Sequence, residues 1–151
     1  GSASESSSVT VALAGVATDS KSASVTDGAW SVTFTGLAEG SYSVVASQTD
    51  TATNTGSSAT VPFTVDTTAP SVSITAGPTN ASLSNLATAT FEFSSAATDV
   101  ARFECDLDGV TVADCTSPVQ LWQYQFGGYG FGAPGSHTFS VRVTDAAGNV
   151  T

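Results

Sequence analysis

A chain of 151 residues is compatible with one large domain or two small ones. Thirteen acidic residues face three basic ones (Lys21, Arg102 and Arg142), and a formal net charge of −10 repels phosphate backbones, so nucleic acid is excluded as an expected partner. Hydrophobic residues make up 40% and charged residues 11%, yet no apolar run approaches the ~18–20 residues of a membrane-crossing helix, and no membrane insertion is expected. The chain opens Gly1-Ser2 with neither Met nor an apolar signal segment, as a processed or trimmed protein would.

Ser, Thr, Val, Ala and Gly dominate, the composition of short strands joined by small-residue turns. In chain order, residues 8–14, 21–26, 30–35, 41–48 and 59–65 are strand-like, several with clean alternation, as in Trp30, Val32 and Phe34 against Ser31, Thr33 and Thr35. Residues 71–75, 89–94, 101–107, 110–115, 119–125 and 137–144 continue the pattern, while Asp27-Gly28, Asp108-Gly109 and Gly36-Leu-Ala-Glu-Gly40 supply turns. No stretch shows a period of 3.6, so an all-β chain is expected.

Cys105 and Cys115 flank the Asp108-Gly109 turn signal. A metal site would want more Cys or His than a chain whose only histidine is His137. A local disulfide is the preferred reading, with two free buried thiols as its alternative, and it implies an oxidising compartment. A two-residue turn at Asp108-Gly109 would not set the cysteines opposite each other, so a bulge or wider loop is required.

An internal repeat organises these elements. Gly40-Ser-Tyr-Ser-Val-Val-Ala-Ser-Gln-Thr-Asp-Thr-Ala-Thr-Asn54 aligns without gaps on Gly135-Ser-His-Thr-Phe-Ser-Val-Arg-Val-Thr-Asp-Ala-Ala-Gly-Asn149, 95 positions later. That period suits one immunoglobulin-like β-sandwich, so two modules in tandem are expected, 1–66 and 67–151, joined through Val65-Asp-Thr-Thr-Ala-Pro70. On this alignment Val150 and Thr151 match Thr55 and Gly56. The second module then lacks its last strand and the first its opening strand or strands, which were either cut away or are supplied by neighbouring copies.

The run from Gly28 to Val44, with Gln48-Thr-Asp-Thr-Ala-Thr-Asn54 and Phe63-Thr-Val-Asp-Thr-Thr-Ala-Pro70, resembles the bacterial Ig-like repeats of giant surface adhesins and biofilm proteins. Phe103-Glu-Cys-Asp-Leu-Asp-Gly109, Cys115-Thr-Ser-Pro118 and the 135–149 motif resemble a disulfide-bearing relative common in secreted bacterial proteins. The resemblance implies a non-catalytic stalk or spacer of an extracellular or cell-surface protein, with neighbouring Ig-like modules as partners. Such modules are reused for many roles. Two departures stand out: Thr53 where the repeat usually carries Gly, implying a looser first turn, and the long aromatic stretch 121–134.

Two candidate sites follow. If strands run in the usual sandwich order, Asp66, Asp99 and Asp145 meet at one pole of the second module as an oxygen-rich site suited to calcium, the alternative being acids that cap their own turns. Glu5 and Asp50 would serve similarly at the opposite end of the first module. Trp122, Tyr124, Phe126, Tyr129 and Phe131 could form a stacking platform for carbohydrate, or could instead pack among themselves or on another module. Two function alternatives to the spacer follow: a ligand- or carbohydrate-binding module using this loop, and a subunit of an extracellular filament assembled by β-strand complementation. For catalysis there is little support. His137 falls on a strand at the position of Tyr42 as a half-buried packing residue, Asp106 and Asp108 flank a turn, and Lys21 lies in a polar turn unsuited to an isopeptide crosslink.

Overall fold

The computed structural model describes residues 7–84, 86–122 and 134–151. Eleven strands and no helix occur among the described residues, and no helix there is long and apolar enough to cross a membrane. The chain divides into two compact units, Gly1–Thr67 and Thr68–Thr151.

The first unit holds β1 (Val9–Gly15), β2 (Asp19–Ala23), β3 (Gly40–Thr49), β4 (Thr55–Ser57) and β5 (Val61–Val65) in one antiparallel sheet of order β2-β1-β3, with β4 and β5 both pairing on the far edge of β3. Register sets its apolar face: Val11 pairs Ala46, Leu13 pairs Val44, Gly15 pairs Tyr42, and Tyr42 in turn pairs Phe63. Val9, Val11, Leu13 and Tyr42 are each only 3% exposed. Tyr42 and Phe63 stack with centroids 5.5 Å apart. At Gly15 the backbones approach so closely that a Cβ would sit 2.2 Å from the Ser41 carbonyl oxygen.

The expected strand 30–35 carries no ladder among the described residues, although Trp30, Val32 and Phe34 alternate half-buried with exposed neighbours. Side chains hold it instead. Lys21, opposite Val11 and therefore on the apolar face, places its ammonium 5.2 Å from the Phe34 ring centre and donates to the Thr33 carbonyl. Tyr42 Oη donates to the Ala38 carbonyl at 3.0 Å. Lys21 is thus a strand residue of β2, not part of a polar turn.

The second unit is a sandwich of two three-stranded sheets. One has the order β10 (Val119–Trp122), β7 (Thr88–Ser94), β6 (Ser73–Ala76); the other β11 (Phe139–Asp145), β8 (Val100–Leu107), β9 (Val110–Ala113). Phe93, Val119 and Leu121 of the first sheet meet Cys105 and Leu107 of the second in one buried cluster with Cys115. Rings bridge the layers: Phe91 on Phe139 at 4.1 Å and Phe93 on Phe103 at 5.1 Å between centroids.

Asp108 (φ 54°) and Gly109 (φ 84°) join β8 to β9 as a two-residue turn with both residues left-handed, the type that matches strand twist. Register puts Val112 opposite Cys105, so the tight turn alone leaves Cys115 out of place. Asp114 then takes a left-handed φ of 57° and Cys115 N–H donates to the Phe103 carbonyl, a bulge that swings the second cysteine inward. The Cys105–Cys115 disulfide, 10 positions in span, lies inside the core. Loop closure of this length stabilises by about 2–3 kcal/mol in the chain-entropy model. The double variant Cys105→Ala, Cys115→Ala should lose at least that much in denaturant unfolding of the second unit and nothing in the first; a loss under about 1 kcal/mol would show that the crosslink adds little.

Candidate functional site

The β11 strand ends where the candidate acids gather. A register shift between Thr144 and Asp145 breaks the alternation, pairs Asp145 with Val100 and leaves Asp145 2% exposed. The Ala146 N–H donates to the Asp99 carbonyl at 2.9 Å, tying the loop before β8 to the turn after β11. Asp99 and Asp145 are therefore brought together within the second unit, Asp99 exposed and Asp145 buried. Asp66 is half-buried and directly follows β5 in the first unit.

The Asp145 carboxylate is not idle. Its Oδ1 accepts the Asn149 N–H at 2.8 Å and its Oδ2 the Asn149 side-chain amide at 2.9 Å. The Asp145 N–H reaches back to the Asn149 carbonyl at 3.1 Å. Burial pushes this carboxyl up, but the two Asn149 donors and the N–H groups of Gly148 and Ala147 more than reverse it, and the group is held below 3.8.

The same clamp stands 95 positions earlier. Asp50 Oδ1 and Oδ2 accept the Asn54 N–H and side-chain amide, both at 2.8 Å, and the Asp50 N–H donates to the Asn54 carbonyl at 2.9 Å. The Asn54 side-chain bond is the chief cause that lowers Asp50 below 3.8. The expected looseness at Thr53 does not occur, because Thr53 itself takes the left-handed φ of 72° where Gly148 has 95°. A β-branched residue is strained there, so the clamp closes against a conformational cost of about 1–2 kcal/mol.

Beyond β11 the two units also agree in register. Thr49 pairs Thr55 and Gln48 pairs Gly56 in the first; Thr144 pairs Val150, and Val143 and Thr151 exchange N–H···O bonds of 2.9 and 3.1 Å in the second. The Asp-x-x-x-Asn spacing was present in both halves of the aligned repeat, and that spacing was the signal from which the clamp could have been read.

His137 precedes β11 and is not a strand residue, although its side chain, 23% exposed, is half-buried as expected. Its Nδ1 lies 2.7 Å from Asp108 Oδ2, while Asp108 Oδ1 accepts the Thr138 N–H at 2.8 Å. The His137 bond is the main cause that lowers Asp108 below 3.8. Asp106 accepts the Gly109 N–H at 2.9 Å and the Thr111 hydroxyl at 3.0 Å. Both carboxylates flanking the turn hold it in place. No local signal joins residues 29 apart such as Asp108 and His137; only the β8–β11 pairing brings them together.

Of the aromatic candidates, Trp122 ends β10 with 45% of its surface exposed, beside Leu121 at 0%. Tyr124, Phe126, Tyr129 and Phe131 lie outside the described residues.

Residues 1–67 match the family model of the bacterial Ig-like domain. No curated protein matches the chain. Among solved structures it is similar to the fibronectin(III)-like modules of Clostridium thermocellum CbhA, with 20% identity over 99% of this chain and 76% of that one and a TM-score of 0.51. At that identity the likeness carries the fold alone.

Two measurements test the clamps. Thr53→Gly should stabilise the first unit by about 0.5–1 kcal/mol, relief of left-handed strain less the added unfolded-state freedom of glycine; a destabilised variant would show that Thr53 is not strained. Because Asp50, Asp108 and Asp145 are depressed in the fold, their contribution is complete above the ordinary carboxylate value of 3.8 and is lost as pH falls through the lower native values. Melting temperature should therefore fall as pH drops below about 4, and Asp50→Asn with Asp145→Asn should flatten that limb; an unchanged slope would assign it to other acids.

Proposed function

We propose that this chain, whose first unit is a bacterial Ig-like domain, is a non-catalytic structural segment, a stalk or spacer of a secreted or cell-surface bacterial protein. Bacterial Ig-like domains and disulfides are typical of extracellular and surface proteins. The observation that carries the reading is the repeated clamp: one turn, with the same donors, acceptors and outgoing register, recurs 95 positions apart in two separate compact units. Duplication of a module with its carboxylates spent on its own turns suits a part that sets length and not one that does chemistry. Neighbouring Ig-like modules are its expected partners.

Calcium enters as part of this proposal. Asp99 and Asp145, held side by side in the second unit, supply hard oxygen donors. A second reading, capture of carbohydrate or another flat apolar surface, is favoured by the exposure of Trp122.

Pulling single molecules from both ends should give two unfolding events. The gain in length of the second should be roughly 30 Å shorter oxidised than reduced, because the ten-residue disulfide loop at ~3.3–3.6 Å per residue stays out of the stretched chain. Millimolar calcium should raise the force of that event, and Asp99→Ala should abolish the increase. One merged event would overturn the two-unit spacer, whereas equal forces with calcium and with chelator would remove the ion alone.

A further inference from the structure

Two Asn-x-Ser/Thr triplets occur in the sequence, Asn80-Ala-Ser82 and Asn149-Val-Thr151, and the fold treats them differently. Such a triplet serves as an acceptor of N-linked sugar where it lies on a surface loop, because the asparagine amide must reach a sugar donor. The Asn149 side-chain amide donates to Asp145 Oδ2 at 2.9 Å and its backbone N–H to Oδ1 at 2.8 Å, in a half-buried turn. That amide is committed to the clamp. Asn80 is exposed, and among the described residues neither its amide nor the Ser82 hydroxyl meets a partner.

Asn80 stands at the corner of a tight turn between β6 and β7. The Ser82 N–H donates to the Thr79 carbonyl at 2.9 Å, and Ala81 has a φ of 58°. A left-handed third residue after an ordinary second one makes this a type II turn, in which glycine usually takes the place of Ala81. Alanine is strained there, and backbone strain collects at positions that do something. The loop is anchored just before the turn: Gly77 lies so close to Phe91 that a Cβ would sit 2.7 Å from the ring. Beyond that anchor every described residue of 77–87 is exposed. Leu83, 101% exposed, and Leu86, 70% exposed, are the barest large apolar side chains among the described residues. No charged residue occurs between Asp66 and Glu92, although the chain as a whole carries −10. The loop therefore lacks the charge that hydrates the rest of the surface, and a hydroxyl-rich sugar supplies what is missing.

We infer that Asn80 is a glycosylation site, taking at Nδ2 a sugar whose anomeric carbon is activated by a diphosphate leaving group. A bond forms between Nδ2 and that carbon, the carbon–oxygen bond to the diphosphate breaks, and the diphosphate leaves with the electron pair. One Nδ2 proton passes to a base of the transferring enzyme, and nothing is oxidised or reduced. The Ser82 hydroxyl is the second point of recognition: two positions on and unpartnered, it is free to bond the enzyme while Asn80 reacts. The donor is a nucleoside diphosphate sugar or a polyprenyl diphosphate oligosaccharide, which present the same activated carbon. Once attached, the sugar stands on the turn that leads directly into Leu83 and hydrates that uncharged stretch.

Peptide mass mapping of the folded chain tests this, after incubation in one arm with UDP-glucose and a soluble asparagine glycosyltransferase. The other arm uses a polyprenyl diphosphate oligosaccharide and an oligosaccharyltransferase. Sugar should appear on Asn80 in at least one arm, and the arm that delivers it identifies the donor. Amide-capped synthetic peptides of residues 77–84 and 143–151 should both be modified. In the folded chain, by contrast, Asn149 should take about tenfold less sugar than Asn80, because its clamp must open first. Ser82→Ala should abolish the sugar with no change in melting temperature, and Ala81→Gly, which relieves the turn and keeps the triplet, should retain it. No sugar on Asn80 in either arm, equal labelling of Asn149 in the folded chain, or labelling that survives Ser82→Ala would each overturn the inference.

Discussion

At the end of the long strand of each unit one carboxylate, Asp50 or Asp145, takes two hydrogen bonds from a single asparagine four residues further on. That pair of bonds decides where the next strand begins and, through the parity of the ladder, its register on the long strand. A slip of one position would break the pairing of Thr55–Ser57 on β3 in the first unit and of Val150 and Thr151 on β11 in the second. Neutral alternatives exist for such turns, but a charged acceptor roughly doubles the strength of each bond. The clamp is strong enough to hold Thr53 in a backbone conformation that glycine adopts freely and threonine does not.

The two units solve the problem of a small core differently. In the first, a single sheet is covered by a segment held through Lys21, Phe34 and Tyr42 and not through a ladder. In the second, two sheets close on each other with two aromatic pairs and a buried crosslink. An acidic chain adds self-repulsion to the cost of folding. Several of its carboxylates, Asp50, Asp106, Asp108 and Asp145, offset that by accepting N–H and hydroxyl donors that turns would otherwise leave to water.

Much of this was legible in the residues. Alternation gave the all-β class, and the duplicated Gly-Ser motif foreshadowed one turn built twice. The need for an irregularity between Cys105 and Cys115 followed from counting positions around Asp108-Gly109, and Asp114 supplies it. Other features were illegible for physical reasons. Residues 30–35 alternate like a strand, yet alternation reports which side chains are covered and not whether the backbone finds a ladder. His137 and Asp108 meet through strand pairing across 29 positions, a relation that no local pattern encodes. Thr53 looked like a defect in the turn because propensity is a weak prior against two charge-assisted bonds.

Lys21 has a chemical corollary. It is the chain's only side-chain amine, and it is engaged with a ring and a carbonyl on the covered side of the sheet. A reagent that acylates this amine removes its charge and so weakens its hold on the Phe34 ring. Acylation of the first unit therefore loosens the segment that covers its sheet, and the rate at which Lys21 reacts reports how often that segment lifts.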